Sequence, residues 1–150
     1  MKKTTMIALT LVFLLAACGT SAPADSGGGI EISSPYAHAA DAGGTSAAYM
    51  TITNTGGAAD TLLKAACDAA MMVQVMETTM VNDVMSMGEI PGIDLPAGAA
   101  VELKPGGYHI MLMELSQPLV EGTTITITLE FEKTGKMTVE VPVKAPGSMP

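Results

Sequence analysis

The sequence predicts an all-β domain of the sandwich or barrel type, and three observations support this prediction. From Ile30 onward the apolar residues alternate with polar ones at period two rather than 3.6. Gly, Pro, Asn and Asp cluster about every eight to twelve residues, as turns between short strands do. The chain of 150 residues leaves room for one domain and its processing segments.

The residues before this domain have the pattern of a secretory signal. Lys2 and Lys3 precede an apolar run that ends in LAAC at residues 15–18, and the run is too short to span a bilayer. The LAAC ending resembles the bacterial lipobox, which implies lipidation of Cys18. An ordinary signal peptide with an incidental cysteine is the alternative interpretation.

The small, polar residues that follow Cys18 have the composition of a flexible tether. We therefore expect a lipoprotein signal peptide at residues 1–17, a lipidated cysteine and linker at 18–29, and one folded domain at 30–146. This order predicts an extracytoplasmic protein, in the periplasm or at the cell surface, that a lipid anchors to a bacterial membrane.

Within the folded domain, alternation and turn residues define the strand candidates in order: 30–33, 47–54, 71–78, 84–89, 101–104, 108–115, 123–132 and 137–143. The clearest alternation lies at 123–132, where four apolar side chains share one face and Thr and Glu share the other. The last two candidates predict a terminal hairpin through Thr134 and Gly135. Residues 61–72, rich in Ala and Leu, are predicted to form a short helix.

Charge and motif content exclude several functions. The chain has seven lysines, no arginine and fifteen acids, so it offers no basic stripe for nucleic acid. It also lacks the Gly-x-Ser-x-Gly, HExxH, phosphate-loop and CxxC patterns of common enzymes. Cys67 has no histidine close behind it, which excludes a blue-copper site. We therefore predict that the protein is not an enzyme and does not bind nucleic acid.

Soft metal ligands are the chemistry that remains. Thirteen methionines stand against five aromatic residues, and His109 and Met111 have the spacing that places both side chains on one face of a strand. The same spacing recurs in two other strand candidates: Met72, Gln74 and Met76 in one, Met85 and Met87 in the other. Neutral thioether sulfur favours Cu(I) over harder ions. The residues thus predict a soft-metal site on a β-domain.

The spacing of these ligands resembles a known family. Ten residues separate Met76 from Met87, twenty-one separate Met87 from His109, and one separates His109 from Met111. The periplasmic copper chaperones of the PCu(A)C family have this motif, with His or Met at the first position. The similarity covers most of residues 30–143, including AYM at 48–50, MSM at 85–87 and PGGYHIMLM at 105–113.

This resemblance implies a cupredoxin-like Greek-key β-sandwich that binds one Cu(I) through Met76, Met87, His109 and Met111. It also implies a monomer that delivers copper toward the dinuclear centre of cytochrome c oxidase subunit II, with a Sco-like protein as a further partner. The chain departs from the family twice. Met76 stands where many members carry His, and His38 stands where they commonly carry Arg.

Three rival interpretations remain open at this point. The first is a copper sequestration or resistance protein without a dedicated acceptor, and the second is a structural sandwich whose methionines fill the core. The third is a thiol reductase, but the usual two-thiol mechanism is unavailable because Cys67 is alone in the folded domain. We further expect His38 in a solvated loop and Cys67 as a small buried residue or a thiol liable to oxidation. The remaining methionines near the motif are expected to pack around the site: Met72, Met80, Met85 and Met113.

Overall fold

The computed structural model describes residues 29–81 and 84–146. The predicted signal peptide, the lipobox and nearly all of the linker lie outside the described residues. In the described ranges the chain forms ten strands and no helix. The strands are β1 Ile30–His38, β2 Ser46–Asn54, β3 Asp60–Cys67, β4 Ala70–Val81, β5 Val84–Glu89, β6 Ile93–Leu95, β7 Ala100–Leu103, β8 Tyr108–Leu115, β9 Thr124–Phe131 and β10 Gly135–Lys144. No helix that could cross a membrane occurs in the same ranges.

The strands form two sheets that share one edge-to-edge junction. The first sheet has the order β5-β4-β8-β2-β1, and β7 pairs with the second half of β2. The second sheet has the order β10-β9-β3-β6, and β1 joins β10 through a short parallel pairing. Distant strands such as β4 and β8 are neighbours, so the chain crosses between sheets as a sandwich requires. The predicted all-β class is confirmed.

One hydrophobic core lies between the inward faces of the two sheets. The alternation predicted for the terminal hairpin is confirmed, because every second residue of β9 is buried: Ile125, Ile127, Leu129 and Phe131. The inward residues of β4 and β8 join the same core as directly opposed pairs, Val75 with Ile110 and Val73 with Leu112. Burying one such side chain contributes about 1.5–3 kcal/mol. The core therefore fixes which face of β4 and β8 points outward.

The helix expected at 61–72 is wrong, because these residues form β3 and the beginning of β4. β3 pairs with β9 on one side and with β6 on the other, and Leu62 and Cys67 of β3 are buried. Alanine and leucine favour a helix by only a few tenths of a kcal/mol per residue. Burial and strand pairing between distant parts of the chain outweigh that preference.

β1 continues past its predicted end to His38 through an irregularity between Ser33 and Tyr36. Ser34 at this point has φ 49°, in the left-handed region that few side chains adopt. A bulge shifts the alternation by one residue. Ala37 consequently points into the core, whereas Tyr36 lies opposite Tyr49 on the outer face, where both rings are also largely buried.

In the second sheet, the side chain of Asp60 at the start of β3 is held by backbone hydrogen bonds. Asp60 Oδ1 accepts hydrogen bonds from the backbone amides of Thr61 and Lys133, and Oδ2 accepts one from the amide of Thr134. Burial by itself raises the pKa of Asp60, but these bonds and one from the Thr134 hydroxyl outweigh it and lower the pKa to about 2. Asp60 therefore stays ionised and ties β3 to the β9–β10 turn.

Candidate metal centre

Three adjacent strands, β5, β4 and β8, carry the predicted ligands at one end of the first sheet. Directly paired residues of antiparallel strands point to the same face. The predicted ligands occur in three of the register pairs on that face: Met76 with His109, Gln74 with Met111, and Thr78 with Met87. All four predicted ligand residues therefore share one face, and Met76 on the middle strand separates His109 from the β5 edge.

This face points away from the core. Val75 and Ile110 alternate with the site residues and are buried on the other side. Methionine does fill the core elsewhere, at Met50 and Met137. Met76, the motif residue on β4, is half-buried instead, so its side chain is partly accessible on the outer face.

Exposure rises across the site from β8 to β5. His109 is 4% exposed, Met76 and Met111 are half-buried, and Met87 is 58% exposed. Within residues 29–81 and 84–146, β5 is the last strand of its sheet, so Met87 has a neighbouring strand on only one side. The site thus combines a fixed imidazole on the inner strand with a thioether that solvent reaches on the edge strand.

The His109 ring is oriented by a backbone carbonyl. His109 Nδ1 lies 3.0 Å from the Gly107 oxygen, and the same oxygen accepts the Thr78 amide at 3.0 Å. A carbonyl oxygen only accepts, so Nδ1 carries a proton, and in the neutral ring the lone pair lies on Nε2. Hydrogen bonds of this kind fix the tautomer and the orientation of metal-binding histidines. His109 is therefore preorganised to coordinate through Nε2.

A tight turn places that carbonyl. The Gly107 amide donates to the Lys104 oxygen at 3.0 Å, and Pro105 and Gly106 occupy the two central positions. Gly106 has φ 80°, which is typical of the second central residue of a type II turn and favours glycine. The Pro-Gly pair thereby determines where β8 begins and how the His109 ring is held.

The structure adds an acidic group that sequence analysis missed. Glu89 of β5 lies opposite Met76, and Gln74 Nε2 donates to Glu89 Oε2 at 2.8 Å. Gln74 shares the two-residue spacing of the methionines on β4, and Glu89 continues the spacing of Met85 and Met87. This spacing is the sequence signal that places Glu89 on the same face as the predicted ligands. A carboxylate beside three neutral sulfur atoms makes the site more favourable for a cation.

Aromatic rings border the site on β2 and β1. The Tyr49 ring centroid lies 6.4 Å from that of His109, 5.1 Å from that of Tyr36 and 5.4 Å from that of His38. Burial raises the pKa of Tyr49, and the neighbouring Tyr36 raises it further, so its phenol stays protonated. The solvated loop expected for His38 is wrong, because His38 ends β1, is half-buried and contacts both tyrosine rings.

The remaining methionines do not pack as expected. Met72, Met80 and Met85 are 48%, 69% and 64% exposed, and only Met113 is half-buried. All four occupy the outer face as direct pairs, Met72 with Met113 and Met80 with Met85. The expectation that they pack around the site is wrong for the three exposed residues.

Harder metal ions find few ligands here. In residues 29–81 and 84–146, no three His, Cys, Asp or Glu side chains come together as a metal site. Cys67 is buried on β3 of the other sheet, and burial raises the pKa of its thiol. A buried, protonated thiol is a poor nucleophile and a poor ligand. The chemistry of the β5-β4-β8 face therefore depends mainly on thioethers and the His109 imidazole.

Comparison with known proteins gives one family and one curated relative. Residues 30–143 match the family described as "Putative lipoprotein LpqE-like". The relative is "Putative lipoprotein Lxx21020" of Leifsonia xyli subsp. xyli, which is 38% identical over 123 residues. These residues cover 81% of this chain and 74% of the relative.

Solved structures share the fold. The copper-bound PCuAC domain from PmoF2 is 27% identical, with a TM-score of 0.68 over 83% of this chain and 100% of that domain. The Cu(I)-bound solution structure of DR1885 from Deinococcus radiodurans is 31% identical, with a TM-score of 0.61 over 78% of this chain and 80% of that one. The cupredoxin-like sandwich expected from the sequence is confirmed.

Proposed function

The chain belongs to the LpqE-like family, a PCuAC-type family of copper chaperones, and on this premise we propose that it is a Cu(I) metallochaperone. One Cu(I) is held by Met76, Met87, His109 and Met111. The ion is cargo that the protein carries and releases. The role is not enzymatic, since no bond is made or broken in the cargo.

The observation that carries this proposal is the register of β5, β4 and β8. It gathers three thioethers and one oriented imidazole on one outward face, and this donor set suits Cu(I) better than Zn(II). The relatives from PmoF2 and Deinococcus radiodurans, whose structures contain copper and Cu(I) respectively, support the same cargo for this chain.

The gradient of exposure favours transfer by ligand exchange. An acceptor has to bind the ion before the donor releases it, so one donor ligand has to be reachable and easily displaced. Met87 on the edge strand meets that condition, whereas His109 is 4% exposed and held by Gly107. We infer that Met87 leaves first. This arrangement favours a delivery role over the alternative of copper sequestration.

The acceptor that the family resemblance implies is the dinuclear copper centre of cytochrome c oxidase subunit II, with a Sco-like protein as a second partner. The relative from Leifsonia xyli, described as a lipoprotein, supports the proposed lipid anchor at Cys18. The chaperone then acts as a monomer tethered to an extracytoplasmic membrane surface.

An anaerobic Cu(I) titration tests the ligand set. The mature chain with Cys18→Ser should bind one Cu(I) tightly, and the methyl signals of Met76, Met87 and Met111 should shift together with the His109 ring signals. Equimolar Zn(II) should compete poorly. A His109→Ala chain that binds Cu(I) as tightly as the parent would show that the assigned site is wrong.

Transfer is measured separately. Cu(I)-loaded protein is mixed with the apo soluble domain of oxidase subunit II, and the copper content of each protein is determined after separation. Movement of copper to subunit II supports delivery. Retention by this chain, with a functional acceptor shown by a control donor, favours sequestration.

A further inference from the structure

A pair of exposed methionines lies beyond the proposed site on the same face. Met80 of β4 and Met85 of β5 are directly opposed in the register, and their exposed fractions are 69% and 64%. Met87, two residues along β5 from Met85, already belongs to the proposed site. The pair therefore extends the line of sulfur atoms toward the Val81–Val84 end of the two strands.

Packing does not account for these two side chains. The outward positions of β9 and β10 show what this chain places on a solvent-facing strand: Thr124, Thr126, Lys136, Thr138 and Glu140 are exposed there. Methionine predominates instead on the outward positions of β4 and β5, where it alternates with Gln74, Thr78 and Glu89. Each exposed methionine adds a soft thioether sulfur to that surface.

We propose that Met80 and Met85 form a second, weaker Cu(I) site. Directly opposed residues of antiparallel strands have Cβ atoms roughly 4.5–5.5 Å apart, and the flexible methionine side chain lets both sulfur atoms approach one ion. Two neutral thioethers are soft donors and favour Cu(I) over Zn(II). With two ligands and no imidazole in the pair, the site binds less tightly than the four-ligand site.

The position of the pair gives the second site a role. A strand rises about 3.3–3.4 Å per residue, so two residues separate Met85 from Met87 by less than 7 Å along β5. An ion held by Met80 and Met85 is thus one ligand exchange away from the exposed ligand of the first site. The second site extends the proposed function by supplying a position where Cu(I) is loaded or released. It rests on that proposed function only for the identity of the ion.

The experiment compares copper stoichiometry in two variants. Anaerobic Cu(I) is added in steps to the mature Cys18→Ser chain while methionine methyl signals are recorded. We expect the Met80 and Met85 signals to move with the second equivalent, after the four-ligand site is full. The Met80→Leu/Met85→Leu variant should lose the second equivalent, with the first dissociation constant changed far less than in Met87→Leu, because neither residue is assigned to the first site.

Met71→Leu is the matched control. Met71 is 78% exposed and also lies on β4, but its position alternates with that of Met72 and places it on the other face. This variant should keep both equivalents. A parent that saturates at one Cu(I) with unmoved Met80 and Met85 signals would overturn the proposal, and so would a double variant that still takes two.

The His109→Ala chain separates this proposal from the assignment of the first site. If His109→Ala leaves the tight equivalent intact, the four-ligand assignment fails. The Met80 and Met85 signals then still decide the second site, because their shift is measured directly and is lost in the double variant. Loss of these shifts in Met71→Leu would contradict a site made by the pair.

Discussion

Replacing Met87 with leucine separates copper binding from folding. Met87 is 58% exposed on edge strand β5, and leucine keeps a similar apolar volume while removing the sulfur. Even in a core, such volume-conserving exchanges cost less than about 1.5 kcal/mol. At this exposed position we expect the free energy of unfolding of the apo protein to change by less than about 0.5 kcal/mol.

Copper affinity should respond much more strongly. Loss of a residue that only supports a metal ligand typically lowers affinity about 10–100-fold, so loss of a ligand itself should cost at least about tenfold, or 1.4 kcal/mol. The exposed edge ligand should cost less than His109, whose ring is buried and held by Gly107. We expect the order of losses to be His109→Ala above Met76→Leu, and Met76→Leu above Met87→Leu.

The assay is an anaerobic competition for Cu(I) against a chromophoric Cu(I) chelator, combined with thermal unfolding of each apo protein. Met71→Leu is the control for an exposed methionine outside the site. If Met87→Leu competes as well as the parent, Met87 is not a ligand. If apo Met87→Leu melts several degrees below the parent, its loss of affinity reflects damage to the hairpin, and the inference about ligation fails.

Cys18→Ser should move the protein from the membrane fraction to a soluble or unprocessed form, and unchanged detergent-dependent fractionation would contradict the tether. Gly106→Ala places a side chain at φ 80°, which costs about 1–2 kcal/mol; it should lower both the melting temperature and the Cu(I) affinity, whereas Gly98→Ala, at φ 71° in a distant turn, should lower only the melting temperature. The pKa of Asp60 is lowered from 3.8 to about 2, so the stability contributed by its ionised form is complete above about pH 4 and is lost as the pH falls through 2. The melting temperature of the parent should therefore fall more between about pH 5 and pH 2 than that of Asp60→Asn, and equal losses would contradict this role.

The parts of the fold that alternation specifies were predictable from sequence. β9 and β10 alternate without interruption, so the sequence alone indicates which residues are buried. β3 was not predictable in this way, because Ala and Leu are local signals for helix whereas its pairing with β9 joins distant residues. The bulge in β1 also has no periodic signal, since one inserted residue at Ser34 reverses the alternation after it.

In the candidate site, too, features set by local spacing were predictable and features set by strand order were not. The spacing of His109 and Met111 predicts a shared face, and the register of β4 and β8 confirms that geometry. Exposure was not predictable, since it depends on which strand lies at the edge of the sheet. The sequence places Met85 and Met87 on one strand, but only the strand order shows that β5 is an edge strand in the part of the chain that the structure describes.

Methionine ligands suit the proposed transfer of Cu(I) outside the cytoplasm, and the same reason explains why the proposed site has a single histidine ligand. A thiolate ligand oxidises to a disulfide in an oxidising compartment and binds Zn(II) well. Thioethers do neither, and they carry no proton that competes with the metal. In the proposed site the buried imidazole of His109 would supply the strongest donor and a fixed direction, since Gly107 orients it. The thioethers would supply weak bonds that an acceptor displaces one at a time. Under this proposal, selectivity for Cu(I) and easy release follow from the same choice of ligands.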